Sequence, residues 1–188
     1  MTTYKEQIGT NIEVVSSDPS NPLLGQVWYN TTTQTLKALN VTTSGSWSSG
    51  GSLNTARSFM AGTGASNTAA LAFGGTTGPL SKLNESYNGT SFTEVNDLNT
   101  ARAALGGAGT QTSTLAFGGN LQNPTTFNLV ESWNGTNWTE VADLNTARSA
   151  LSGAGTQAAT LAFGGELPSV TAASETWNGV ATVTIDTD

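Results

Sequence analysis

The sequence predicts an all-β chain assembled from tandem sheets, and three observations predict it. The string Leu-Asn-Thr-Ala-Arg occurs at 53–57, 98–102 and 144–148, a period of about 45 residues that marks a repeated supersecondary unit. Each copy leads through a run of small residues into Leu-Ala-Phe-Gly-Gly at 71–75, 115–119 and 161–165, and then into an aromatic-Asn-Gly step at 87–89, 133–135 and 177–179. Inside the units apolar residues alternate with a period of two, and no helical periodicity competes.

The elements follow in chain order. Residues 1–25 hold the turn-rich Asp18-Pro19-Ser20-Asn21-Pro22, and Gly25 to Lys37 reads as a hairpin. Trp47 stands as far before Leu53 as Trp138 does before Leu144, so 44–52 is expected to be a fourth strand of an incomplete N-terminal unit. In the first full unit the strands are expected at about 58–64, 68–74, 82–87 and 91–96. Ala69, Leu71 and Phe73 alternate with Thr68, Ala70 and Ala72, giving one bulky and one small face, and the other units repeat this with Leu115 and Phe117, then Leu161 and Phe163. Sheets of that kind interdigitate when stacked, and burial of each Phe contributes about 1.5–3 kcal/mol. The Gly/Ala/Ser-rich first strand suits a crowded place where neighbouring units converge.

Asn88-Gly89, Asn134-Gly135 and Asn178-Gly179 are expected to form two-residue type I′ hairpins. The diglycines are read as turn residues at positive φ. In the third unit Val180 to Ile185 is expected as a terminal strand. The domain division is then an N-terminal segment, 1–50, and a repeat region, 51–188, with units at about 53–97, 98–143 and 144–188.

Composition narrows function by exclusion. The 188 residues include no Cys and no His, which removes disulfides, thiolate nucleophiles, imidazole bases and the usual zinc or copper ligands. Charged residues are 10% of the chain and the net charge is -7, the wrong balance for holding nucleic acid through phosphates. No apolar run reaches membrane-span length, and the start of the sequence lacks the apolar region of a signal peptide. The expectation is a protein with no cofactor, no metal, no nucleic-acid partner and no membrane insertion, which reaches its destination without Sec export.

An Arg opening the unit, a hydrophobic strand ending in Gly-Gly and two aromatics a few residues apart resemble the kelch repeat. The matching residues are Arg57, Arg102 and Arg148, the diglycines, and the pairs Tyr87 with Phe92 and Trp133 with Trp138, over roughly 53–179. The aromatic pair is more tightly spaced than in typical kelch units, and Thr182 stands where the third unit would carry its second aromatic. The resemblance implies kelch-like β-propeller blades: three four-stranded units plus a partial N-terminal one. Propellers have four to eight blades, so the ring is expected to be completed by oligomerisation, most simply as a two-fold dimer of six blades, or by N-terminal strands giving four. Copper chemistry known from kelch-like oxidases does not transfer to a chain without His and Cys.

The string Gly25-Gln26-Val27-Trp28-Tyr29-Asn30-Thr31-Thr32 with Leu36-Lys37 is similar to short hairpin modules of tailed-bacteriophage virion proteins. Together with the repeats it resembles appendage and fibre-like proteins of phages, marine cyanophages included. The resemblance implies a non-enzymatic virion structural protein (fibre, capsid decoration or neck appendage), assembled in the host cytoplasm, with other virion proteins as partners and a homo-oligomeric state. The alternative is a carbohydrate-binding propeller that contacts host surface polysaccharide through the loops 76–82, 120–130 and 166–174, which vary while the strands stay constant.

Candidate partner or glycan contacts are Trp28, Tyr29, Trp47, Arg57, Arg102 and Arg148. The three arginines are weighed more heavily as donors to neighbouring backbone carbonyls, and Trp133, Trp138 and Trp177 as core. Glu85, Glu131 and Glu175 recur, as do Glu94 and Glu140, but equivalent carboxylates in every unit do not make the asymmetric acid and base of a glycosidase. No catalytic residue is expected.

Overall fold

A computed structural model describes residues 12–39, 45–120 and 125–179. All regular structure among them is β. The chain divides into two compact units, 1–48 and 49–188.

In the first unit β1 (Glu13–Val15) pairs in parallel with β2 (Val27–Asn30), which pairs antiparallel with β3 (Thr35–Ala38). The expected hairpin is therefore β2–β3. Its sheet alternates as a half-buried strand must: Trp28 and Asn30 are buried, Val27 and Tyr29 exposed.

The second unit begins with β4 (Ala61–Ser66), β5 (Ala69–Phe73), β6 (Asn84–Tyr87) and β7 (Phe92–Val95), an antiparallel sheet in sequence order. The next repeat forms the same sheet from β8 (Gly106–Thr110), β9 (Ser113–Phe117), β10 (Val130–Trp133) and β11 (Trp138–Val141). In the third, β12 (Ser152–Thr156) and β13 (Ala159–Phe163) are followed by the short hairpin of β14 (Glu166–Leu167) and β15 (Ser169–Val170), and β16 (Ser174–Asn178) returns beside β13. The strand expected over 180–185 lies outside the described residues.

The sheets stack in sequence order, with β4 beside β8 and β8 beside β12. Small residues on these first strands permit the approach. A Cβ on Gly107 would lie 2.7 Å from Cζ of Phe73, and one on Gly153 would collide with Cζ of Phe117. Phe73 and Phe117, which end the second strands of the first two sheets, thus pack on the glycine of the next sheet, as the bulky and small faces require. Across strands three and four, Tyr87 faces Phe92 and Trp133 faces Trp138, with ring centroids 4.7 and 5.3 Å apart. Trp138 also stacks on Phe73 of the preceding sheet at 5.1 Å. Trp133 and Trp138 are buried and Trp177 half-buried, so these aromatics belong to the core.

Two local expectations fail. Residues 45–52 contain no strand; Gly50 and Gly51 instead lie against the Tyr87 hydroxyl and the carbonyl of Thr90. Asn88-Gly89 and Asn134-Gly135 do not form two-residue type I′ turns either, and the hairpin expected at Asn178-Gly179 runs into residues outside the described ones. Because Tyr87 pairs with Phe92 and Trp133 with Trp138, the loops contain four residues, and only the glycines Gly89 and Gly135 have positive φ. Asn88 Oδ1 accepts the N–H groups of Thr90 and Ser91 at 3.0 Å, and Asn134 does the same for Thr136 and Asn137 at 2.9 and 2.8 Å. The asparagine side chain substitutes for a backbone carbonyl in the turn, an option the two-residue reading ignored. The diglycines do carry positive φ, at 74–75, 118–119 and 164–165.

Candidate functional site: buried ion pairs, variable loops and open faces

Arg57, Arg102 and Arg148 end the Leu-Asn-Thr-Ala-Arg crossing, and each turns inward to a glutamate on the third strand of its own sheet. Arg57 Nη2 is 2.7 Å from Glu85 Oε1, Arg102 Nη1 is 2.7 Å from Glu131 Oε1, and Arg148 Nη2 is 2.9 Å from Glu175 Oε1. All three arginine side chains are fully buried, so they are not glycan contacts, and that expectation is corrected. The same guanidinium groups donate to backbone carbonyls, Arg57 to Gly74 and Leu83, Arg102 to Ala116, and Arg148 to Gly164 and Ala173. The second oxygen of each carboxylate accepts the backbone N–H of Asn54, Asn99 or Asn145 at 2.6–2.8 Å. One glutamate therefore holds both ends of the crossing segment onto its sheet. Burial pushes the Arg102 guanidinium below its ordinary value, and the facing Glu131 carboxylate pulls it back up.

The same geometry accounts for the recurring third-strand carboxylates. Glu85 faces Glu94 and Glu131 faces Glu140 across adjacent strands, but Glu85 and Glu131 are already bound by an arginine and a backbone N–H. Each is a structural anion. Among the described residues no group of three or more acidic, His or Cys side chains could hold a metal ion, and no helix is long and apolar enough to cross a membrane.

Trp28 is buried in the N-terminal sheet and its indole N–H donates to Asp18 Oδ1 at 3.0 Å, so it too is corrected from contact to core. Asn30 Nδ2 donates to the same oxygen at 2.8 Å, and Lys37 Nζ lies 2.6 Å from Oδ2. The Lys37 ammonium first, then the Asn30 and Trp28 donors, hold the Asp18 carboxyl down at about 2. Tyr29 and Trp47 are exposed. Tyr29 lies in register between Val14 and Leu36, and with Val27 these residues give the small sheet an exposed apolar face.

Sequence reasoning missed Gln111 and Gln157, at the tips of the β8–β9 and β12–β13 hairpins. Gln111 Nε2 donates to Ser86 Oγ at 2.9 Å and the Tyr87 carbonyl at 2.5 Å; Gln157 Nε2 donates to Ser132 Oγ at 2.9 Å and the Trp133 carbonyl at 2.5 Å. Each clasps its sheet to the preceding one. The signal was the Thr-Gln pair following the small-residue strand in two of the three repeats.

The loops between second and third strands share their roots. Ser58 and Thr76, Ala103 and Asn120, and Ser149 and Glu166 exchange paired backbone bonds, while the loop tips differ in sequence. Residues 121–124 of the second loop lie outside the described residues. A recess of about 70 Å³ between the second and third sheets is lined by Phe117, Val130, Leu144 and Trp177 among others, well below the roughly 300–1,000 Å³ of small-molecule sites.

The fold and these networks define a class: an all-β array of repeated three- and four-stranded sheets, internally ion-paired. No family model and no curated protein matches the sequence. Among solved structures 127 chains match. One is the structure of YjhT, with a TM-score of 0.55 and 13% identity over 79% of this chain and 47% of that chain. The likeness is one of fold, and this chain spans about half the length of the structure it matches.

Proposed function

We propose that the chain is a non-enzymatic virion structural protein of a tailed phage, in which kelch-like propeller blades form a display module and residues 1–50 attach it to the particle. The observation that carries the scaffold reading is the use made of the recurring polar side chains. Arginine, glutamate, asparagine and glutamine at equivalent positions bind one another and the backbone, tying strands within a sheet and sheets to their neighbours. Repeated groups committed in this way build a durable frame. The virion assignment rests on the resemblance of the Gly25–Lys37 string and the repeats to phage appendage proteins. The exposed apolar face of Val14, Val27, Tyr29 and Leu36 supports the attachment role, since exposed apolar patches mark interaction sites.

The experiment is deletion of residues 1–45. Particles should no longer incorporate the protein, while the repeat region keeps its β circular dichroism; normal incorporation of the shortened chain refutes the attachment role.

A second reading, recognition of a host surface polysaccharide, is favoured by the loops with common roots and different tips. Exchange of the tips at 77–80 and 167–170 for the sequence of another repeat should weaken adsorption to host cells without altering stability. Unchanged adsorption together with silence on a glycan array removes it.

A further inference from the structure

The array has two open ends, and they match each other. At the internal junctions the bulky face of one sheet is covered by the glycine strand of the next: Leu71 and Leu115 are each 1% exposed, Phe73 0% and Phe117 2%. The equivalent residues of the last sheet, Leu161 and Phe163, are 39% and 40% exposed. Strand β13 accordingly alternates between exposed and buried, where β9 is buried along most of its length.

The first sheet shows the complementary deficit. Gly62 occupies the repeat position of Gly107 and Gly153, which are glycine because a phenylalanine ring of the preceding sheet leaves no space for a Cβ. A Cβ on Gly62 would meet only the Leu71 carbonyl, at 3.5 Å. Among the described residues nothing requires glycine there, whereas a Phe163 packed as Phe73 and Phe117 are would require it. Met60 is 38% exposed, while Leu105 and Leu151 at its position are 6% exposed and sit over Gly74 and Gly118. Among the described residues Gly164 has no such cover: a Cβ there would meet only the Thr171 carbonyl, at 4.0 Å.

The backbone repeats the message. Gly75 N–H donates to the Arg102 carbonyl and Gly119 N–H to that of Arg148; Ala104 N–H donates to the Phe59 carbonyl and Ala150 N–H to that of Ala104. Phe59, Ala104 and Ala150 share φ values of 52–53°, so the same strained corner recurs at all three repeats. By the same rule, Gly165 N–H and the Ala150 carbonyl at one end await the Arg57 carbonyl and Phe59 N–H at the other.

We propose that the face of Leu161, Phe163 and Gly164 docks on the face of Phe59, Met60 and Gly62 of a second copy of this chain, continuing the internal junctions head to tail, and that two copies close into one ring. Two copies give six sheets, inside the four to eight of known propellers, whereas one gives three and three give nine. The length of the matched solved structure agrees: this chain spans 47% of it, so two copies span nearly the whole. The inference rests on the blade reading of the sheets and not on the virion role. The new junction has one departure from the internal ones. Asn67 stands where Gln111 and Gln157 make their clasps, after a one-residue irregularity between Gly64 and Ser66. A side chain one methylene shorter loosens that clasp, so the ring opens reversibly on dilution.

The test is sedimentation of the full chain over a concentration series. The expected mass at high concentration is twice 19.2 kDa, falling to once that value on dilution. Gly62→Leu should sediment as monomer with unchanged circular dichroism and thermal transition, because the added side chain has room inside the chain but fills the seat of Phe163. Phe163→Ser should do the same, and mixing the two variants should restore dimer through their one intact junction. A wild-type monomer at every concentration overturns the proposal, as do open-ended assemblies larger than two. A Gly62→Leu protein that stays dimeric also overturns it, since the pairing would then join two third sheets. None of these outcomes bears on incorporation into particles, which tests the virion role separately.

Discussion

The arginine of each repeat shows how little a recurring cation need have to do with ligands. A buried guanidinium facing a buried carboxylate forms a costly arrangement to break, because removal of one partner strands the other charge. Arg102→Ala is expected to lower unfolding free energy by about 3–5 kcal/mol, read from urea denaturation. Arg148→Ala should cost less, since Glu175 is the more exposed of the glutamates at 16% of its side chain. Replacing Arg102 and Glu131 together by Met and Leu should recover much of the loss, because no charge is then left alone. A second residue-scale prediction concerns Asp18, whose carboxyl is held at about 2 against an ordinary value of 3.8. A carboxyl depressed in the folded state stabilises above its unfolded value, and that contribution is lost as the pH falls through its folded one. The N-terminal sheet should therefore loosen between about pH 4 and pH 2, visible as a change in Trp28 fluorescence that Asp18→Asn abolishes. The position of the arginines was legible in the sequence, but their burial was not. Whether Arg57 points to solvent or to Glu85 depends on a strand 28 residues further on.

At the scale of elements, the decisive contacts are those that a glycine permits. Gly153→Ala places a methyl group into the Phe117 ring, and overpacking of this kind costs about 1–3 kcal/mol. Gly62→Ala, the same substitution one end earlier, meets open space in the single chain and should be near neutral there, as thermal melts of dilute protein will show. The glutamine clasps set the coupling between sheets. Gln157→Ala removes donors to Ser132 Oγ and the Trp133 carbonyl and should lower hydrogen-exchange protection in the third sheet before the second, by about 1 kcal/mol of local stability. Strand positions within the repeats followed from alternation and turn residues, and expected and observed strands agree to within a few residues. The turns themselves were misjudged because an asparagine side chain can complete a four-residue loop as well as its backbone can enter a two-residue one. The absent strand over 45–52 has a similar origin: spacing alone carried the expectation, and spacing does not supply a partner edge.

For the whole molecule, the consequence is an array whose ends are unlike its middle. Internal junctions bury one Leu and one Phe each, while the terminal faces keep theirs in solvent. In quasi-one-dimensional arrays stability is a sum of unit and junction terms. Ring closure by a second copy should accordingly raise the melting temperature with protein concentration, an effect that Gly62→Leu should eliminate. The two compact units, 1–48 and 49–188, divide the labour in the proposed function, with the small sheet attaching and the repeats displaying.

The sequence by itself determined the all-β class, the number of repeats and the order of strands, because these depend on local alternation and on a threefold internal copy. Only the tertiary structure decided which repeated residues are spent inside and which faces stay open. Burial is a property of neighbours, and equivalent residues such as Phe73 and Phe163 sit in the same Leu-Ala-Phe-Gly-Gly string but differ in whether another sheet follows.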